Sequence, residues 1–153
     1  MNTFTAIEEK MLLLPDGRIV DSDFLVSGIK NVCHYVQHVV LSLKDGDAVV
    51  ALIFPNRTLL TSPDYEKSPE EGCFCPRNLE ELGRCLSGCM QSVNQQIVAG
   101  YAGIDAAIII DTALSVADET LTSASEVAPA RIIAKFRDHL ENLFGAQHNL
   151  PDR

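Results

Sequence analysis

Five cysteines and four histidines supply the side chains best suited to chemistry in this chain. Cys73, Cys75, Cys85 and Cys89 run as C-x-C, nine residues, then C-x-x-x-C, and four thiolates so placed could hold zinc tetrahedrally. The spacing departs from the paired C-x-x-C of zinc ribbons, and Cys85 and Cys89 stand one helical turn apart, where they extend an apolar face. Small, half-buried apolar side chains are therefore expected, with a metal or redox site as the rival. His34 and His38 beside Cys33 raise a second metal or nucleophile question. His38 alternates into a strand and His34 sits at a helix end, where an imidazole can satisfy carbonyls, so no Ser-His-Asp or Cys-His set assembles. His139 and His148 read as surface residues. Asp45-Gly46-Asp47 lacks the glutamate that a calcium loop carries at its twelfth position, so a tight turn explains it better. Glu66, Glu70 and Glu71 read as a solvated loop, and Gly83 and Gly88 as sites of close helix packing.

The elements that position these residues follow from apolar periodicity. Pro15-Asp16-Gly17 between two apolar runs at 9–20 predicts a hairpin. Asp21 or Ser22 then caps a helix bearing Leu25, Ile29 and Val32. The run from Val36 to Pro55 reverses at Asp45-Gly46 and predicts a second hairpin, closed by Pro55. Residues 56–78, with three of the seven prolines, predict a loop. Asn78 caps a long helix with Leu79, Leu82, Leu86, Met90, Val93 and Ile97 along one side, stopped by Gly100 and Gly103. A buried strand at 106–111, a loop at 112–125 and a final helix from about 128 to 144 complete the chain. In that helix Ile133, Phe136, Leu140 and Leu143 form the apolar stripe, Arg137 and Glu141 the wet side, and Pro129 the first turn. The fold class is α+β: a small mixed or antiparallel sheet with hairpins, packed against three main helices.

The 153 residues fit a single domain, 1–153, able to bury about two-thirds of its unfolded surface. A net charge of −9 and a pI near 4.7 exclude nucleic acid and anionic membrane as partners, since both need clustered Lys and Arg. No run reaches the ~18 apolar residues of a membrane span, and MNTFTAIEEK lacks the pattern of a secretory signal. An odd cysteine count without an export signal suits a reducing cytoplasm.

Laid out in this order, the chain resembles the C-terminal lid domain of the long-chain acyl-CoA synthetases, in the adenylate-forming (AMP-binding) superfamily. Pro15 to Val20 resemble the lid's opening strand region, and Val50-Ala51-Leu52-Ile53-Phe54-Pro55-Asn56 its Val-Ala-Leu-Ile-Val-Pro-Asn. Val93-Asn94 and Gly100 to Ile104 resemble the segment in which a Val-Asn pair precedes Tyr-Glu-x-Ile, and Phe136 stands where the last helix commonly has Tyr. Leu121-Thr122-Ser123-Ala124-Ser125-Glu126 is similar to Leu-Thr-Pro-Thr-Leu-Lys, which places Glu126 at the position of the family's catalytic lysine. At the hinge, Ile7 replaces an arginine and is followed by Glu8, Glu9 and Lys10, while Ala128, Pro129, Ala130 and Arg131 replace a basic run.

The resemblance implies no catalytic residue in this chain, because a carboxylate facing phosphate oxygens repels what the lysine stabilises. It implies a stand-alone, catalytically incomplete lid homologue, acting as a binding, regulatory or accessory module in the setting of fatty acid metabolism. Its partner would be an adenylating subunit, or a second copy through the exposed apolar surface. The rival is the small subunit of a split acyl-CoA synthetase, an acid-thiol ligase, with Asp16, Gly17 and Arg18 on the hairpin facing CoA and Glu9 and Lys10 at the hinge. The further rival is a cysteine-based metal or redox module. No cofactor is expected, CoA and zinc being the two that these rivals would bring.

Overall fold

A computed structural model describes residues 3–33, 35–56 and 79–148, with side chains up to Leu143. The order is β1 (Phe4–Ala6), β2 (Met11–Leu13), β3 (Ile19–Asp21), α1 (Ser22–Val32), β4 (Val36–Lys44), β5 (Ala48–Pro55), α2 (Leu79–Gln95), β6 (Ala106–Ile109) and α3 (Pro129–His148). β1, β4, β5 and β6 form one sheet in that order, antiparallel except for the parallel β5–β6 pair, and β2 and β3 form a separate hairpin.

β5 explains the layering. Its side chains alternate between two clusters: Val49, Ala51 and Ile53 face α1 and α2, while Val50, Leu52 and Phe54 face α3. A strand covered on both sides has no polar face to show, which is why it reads as an uninterrupted apolar run. On the far side Ile132, Ile133, Phe136 and Leu140 of α3 close over it, with the Phe54 and Phe136 rings 5.9 Å apart and tilted. The β4–β5 reversal is built as expected: Asp45 and Gly46 both take positive φ, at 55° and 81°, the conformation that an Asp-Gly hairpin turn requires. Asp45 also ties down the chain start, accepting from Thr3 N at 2.9 Å while its own amide donates to Thr3 O at 2.8 Å. β1 exists through that pairing.

Both hairpins, the Asp21 cap, which accepts from Phe24 N, the Pro55 stop and Pro129 at the start of α3 match expectation. Four details differ. α2 ends at Gln95, short of Gly100 and Gly103, because the Asn94 amide leaves the helix to bracket Ile104, accepting from its N–H at 2.8 Å and donating to its carbonyl at 3.0 Å. The strand expected at 106–111 is only Ala106–Ile109 and only half-buried, since it pairs on one side alone. In α3, Leu143 is 37 % exposed and Ile132, 0 % exposed, takes its place in the core; the helix also runs on to His148. The close helix contact lies at Gly28, where an added Cβ would meet Val93 at 3.5 Å, whereas one at Gly88 would meet nothing within 4 Å and one at Gly83 only Ile109, at an ordinary 3.8 Å. The expected cap Asn78, nearly all of the loop 56–78 with Glu66, Glu70, Glu71, Cys73 and Cys75, and His34 lie outside the described residues.

Candidate functional site

Glu126 stands in a tight turn between β6 and α3. Leu121 and Val127 form an isolated antiparallel bridge, Thr122 N donates to Glu126 O at 2.7 Å, and Ser125 takes a φ of 64°. The turn holds its backbone and presents the Glu126 side chain to solvent. Among the described residues no ion pair joins Glu126 to a cation. The neighbouring loop is pinned by Thr120, 1 % exposed, whose hydroxyl accepts from Ser115 N at 2.9 Å and donates to Asp118. Lys135 of α3 bonds Asp118 at 2.6 Å and Arg131 bonds Glu119 at 3.0 Å. The positive charge nearest to Glu126 along α3 is therefore turned onto the chain's own acidic loop.

Lys135, Thr120 and Ser115 together hold the Asp118 carboxyl far below the usual carboxylate range. A carboxyl depressed on folding stabilises the fold above its unfolded value, near 4, and loses that contribution as pH falls below it. Asp118→Asn should therefore lower the melting temperature at about pH 7, and the gap to the parent should narrow towards about pH 3. A gap that stays constant across this range would remove the Lys135–Asp118 pair from the account.

The other positions matched by the resemblance lie in and beside the first hairpin. Ile7 is buried, with its N–H on Leu41 O, so the hinge position that carries arginine in the resembled family is here a core residue. Glu9 O accepts from Ser22 Oγ and Lys10 O from Ser22 N, while the Lys10 ammonium pairs with Asp23 at 3.4 Å in solvent. Gly17 takes a φ of 94°, and Asp16 Oδ2 holds Arg18 Nε at 2.7 Å. Backbone bonds from Arg18 lower the Asp16 pKa, reinforced by its guanidinium. This hairpin docks through Ile19, whose N–H reaches Gly100 O and whose carbonyl takes Ala102 N–H.

The cysteines regroup. Cys85 and Cys89 meet Cys33, at the C-cap of α1, and the three Sγ atoms lie within 4.8 Å of one another. All three are buried and none is in a disulfide. The Cys89 thiol donates towards Val32 O at 3.7 Å. Hydrogen bonding with Cys89, aided by the backbone at Tyr35 and Val36, lowers the Cys33 pKa to about 7 against the opposing effect of burial, while the Cys89 thiol is pushed up by Cys33 and by burial. Sequence spacing grouped Cys85 and Cys89 with Cys73 and Cys75, since nothing in it shows that α1 ends beside α2. His38 lies half-buried on β4, its pKa lowered by burial and then by Lys30, and His139 is exposed.

No protein-family profile and no curated protein matches the chain. Solved structures do. The A-PCP didomain of carboxylic acid reductase from Segniliparus rugosus, in complex with AMP, is 15% identical with a TM-score of 0.64, covering 95% of this chain and 20% of that one. The adenylation domain of the carboxylate reductase from Mycobacterium chelonae is 16% identical with a TM-score of 0.62, covering 89% and 19%. A second Segniliparus rugosus structure, the A domain with AMP and a co-purified carboxylic acid, gives 14% and 0.59 over 90% and 20%. The chain spans about a fifth of the length of these proteins. Its fold, three helices on a four-stranded mixed sheet, is that of the C-terminal domain of adenylate-forming enzymes. The neighbours are carboxylate reductases, so the likeness is one of fold and does not single out the long-chain acyl-CoA synthetases. Among the described residues no helix is long and apolar enough to cross a membrane.

Proposed function

We propose that this chain is a lid-like module that does not itself stabilise acyl-adenylate formation and acts as a binding or accessory domain towards an adenylating protein. The observation that carries this reading is the exposed Glu126 on the turn that resembles the family's lysine-bearing segment, within a fold shared with adenylation proteins. Charge sign supports the reading: transferring phosphate oxygens need cations placed against them. The α3 cations that follow this turn, Arg131 and Lys135, are each paired with a carboxylate of the chain's own loop.

The test mixes the purified chain with the lid-deleted large domain of an adenylating protein from the same genome, and reads complex formation by light scattering and ATP–pyrophosphate exchange. A complex whose exchange rate is unchanged by the chain is expected. Acceleration of about tenfold or more, equal to about 1.4 kcal/mol of barrier, overturns the non-catalytic reading, and the absence of a complex with every such domain overturns the accessory one. Glu126→Lys serves as the gain-of-charge comparison. As an exposed substitution it should shift stability by no more than about 0.5 kcal/mol, checked by urea unfolding, so any change in exchange is read at constant fold.

A second reading, support of thioesterification, draws on Arg18, held in one orientation by Asp16 on the exposed first hairpin. Acyl-CoA production from preformed acyl-adenylate, lost in Arg18→Ala, would favour it.

A further inference from the structure

Three thiols from two helices converge at one seam. Cys85 and Cys89 lie one turn apart on the inward side of α2, and Cys33 ends α1 in extended backbone with φ −137° and ψ 112°. The close approach of α1 to α2 at Gly28 brings the three sulfurs to within 4.8 Å of one another. Metal–thiolate bonds of about 2.3 Å place neighbouring sulfurs about 3.8–4.0 Å apart around a tetrahedral or trigonal ion. No pair of these sulfurs is thus more than about 1 Å beyond coordination spacing.

A disulfide is the poorer account of the same atoms, because it joins two sulfurs at about 2.05 Å and strands the third. Packing alone accounts for two cysteines extending an apolar helix face. It gives no reason for a third to meet them from another element. Cys33 is 1 % exposed, and Cys85 and Cys89, at 9 % and 8 %, keep the sliver of surface through which an ion would arrive.

We infer that Cys33, Cys85 and Cys89 form a three-thiolate site for a soft, thiophilic d10 cation, zinc(II) or copper(I). Sulfur ligands select these ions over calcium or magnesium. On binding, the thiols lose their protons to solvent and three metal–sulfur bonds form, with no change in oxidation state. The site is independent of the reading of Glu126.

The experiment uses the full chain, purified under reducing conditions and stripped with chelator. Zinc(II) and copper(I) are titrated in separate arms against competing chromophoric chelators, and the loaded protein is examined by X-ray absorption. One equivalent per chain with at least three sulfurs at about 2.3 Å is expected in at least one arm; which arm binds tighter distinguishes the two ions. Cys33→Ser and Cys85→Ser should each weaken binding by more than the about 10–100-fold that outer-shell changes cost. Should those variants fold poorly, the wild-type protein decides: bound metal must protect Cys33, Cys85 and Cys89 together from alkylation, as mapped by mass spectrometry. Binding of neither ion, a shell of nitrogen or oxygen, or protection of other cysteines in their place overturns the assignment.

Discussion

Leu52→Ala is expected to lower the unfolding free energy by about 2–5 kcal/mol. Leu52 is 0 % exposed on the central strand, in the cluster that α3 closes. The loss has two parts: the transfer free energy of the deleted methyl groups, and a cavity that cannot collapse. It cannot collapse because β5 is held on one edge by β4 and on the other by β6, and its opposite face is packed by Val49, Ala51 and Ile53. With total stability of about 5–15 kcal/mol for a domain of this size, such a change leaves little reserve. Urea unfolding followed by circular dichroism measures it, and a loss under about 1 kcal/mol would mean that α3 settles into the gap.

Asn94→Asp is expected to cost about 1–3 kcal/mol although the side chain differs by a single group. The Asn94 amide accepts from Ile104 N and donates to Ile104 O. Aspartate keeps the acceptor and replaces the donor with a carboxylate oxygen facing a carbonyl, so one bond is lost and a repulsion added. Asn94→Ala should cost a comparable amount by leaving both Ile104 groups without their partner, and Asn94→Gln cannot repeat the geometry with its longer stem. The contact is tight as well: a Cβ at Gly103 would stand 2.5 Å from Asn94 Oδ1. Thermal melts of the three variants test this, and an unchanged Asn94→Asp would show that the helix end is set elsewhere.

The parts of this fold legible in the sequence are those whose signals are local. Asp-Gly with flanking β-branched runs marks the β4–β5 reversal, because positive φ restricts the residue choice there. Leu82, Leu86, Met90 and Val93 mark the inner face of α2 through helical spacing. What fails is set by partners distant in the chain. β1 is three residues whose only reason to be a strand is Lys44 to Ser42 alongside. Ile132 rather than Leu143 enters the core because α3 meets β5 over its first turns. The end of α2 depends on Asn94 capturing Ile104, which no propensity encodes. At the candidate site, Glu126 and the first hairpin were readable only through resemblance, which does not tell that Lys10, Arg131 and Lys135 are each engaged by carboxylates. The thiol triad was half readable: the i, i+4 pair belongs to the helix pattern, and Cys33 joins it by tertiary packing alone.

The α1–α2 seam has a consequence for assembly. Cys89 and its acceptor Val32 are 57 positions apart, whereas the β4–β5 reversal closes over a few residues. Joining remote segments carries a loop-closure entropy that local pairing avoids, so the seam forms after the hairpin has nucleated the sheet. Three sulfurs that meet only across that junction make thiol reactivity a clock for the docking of α1 against α2.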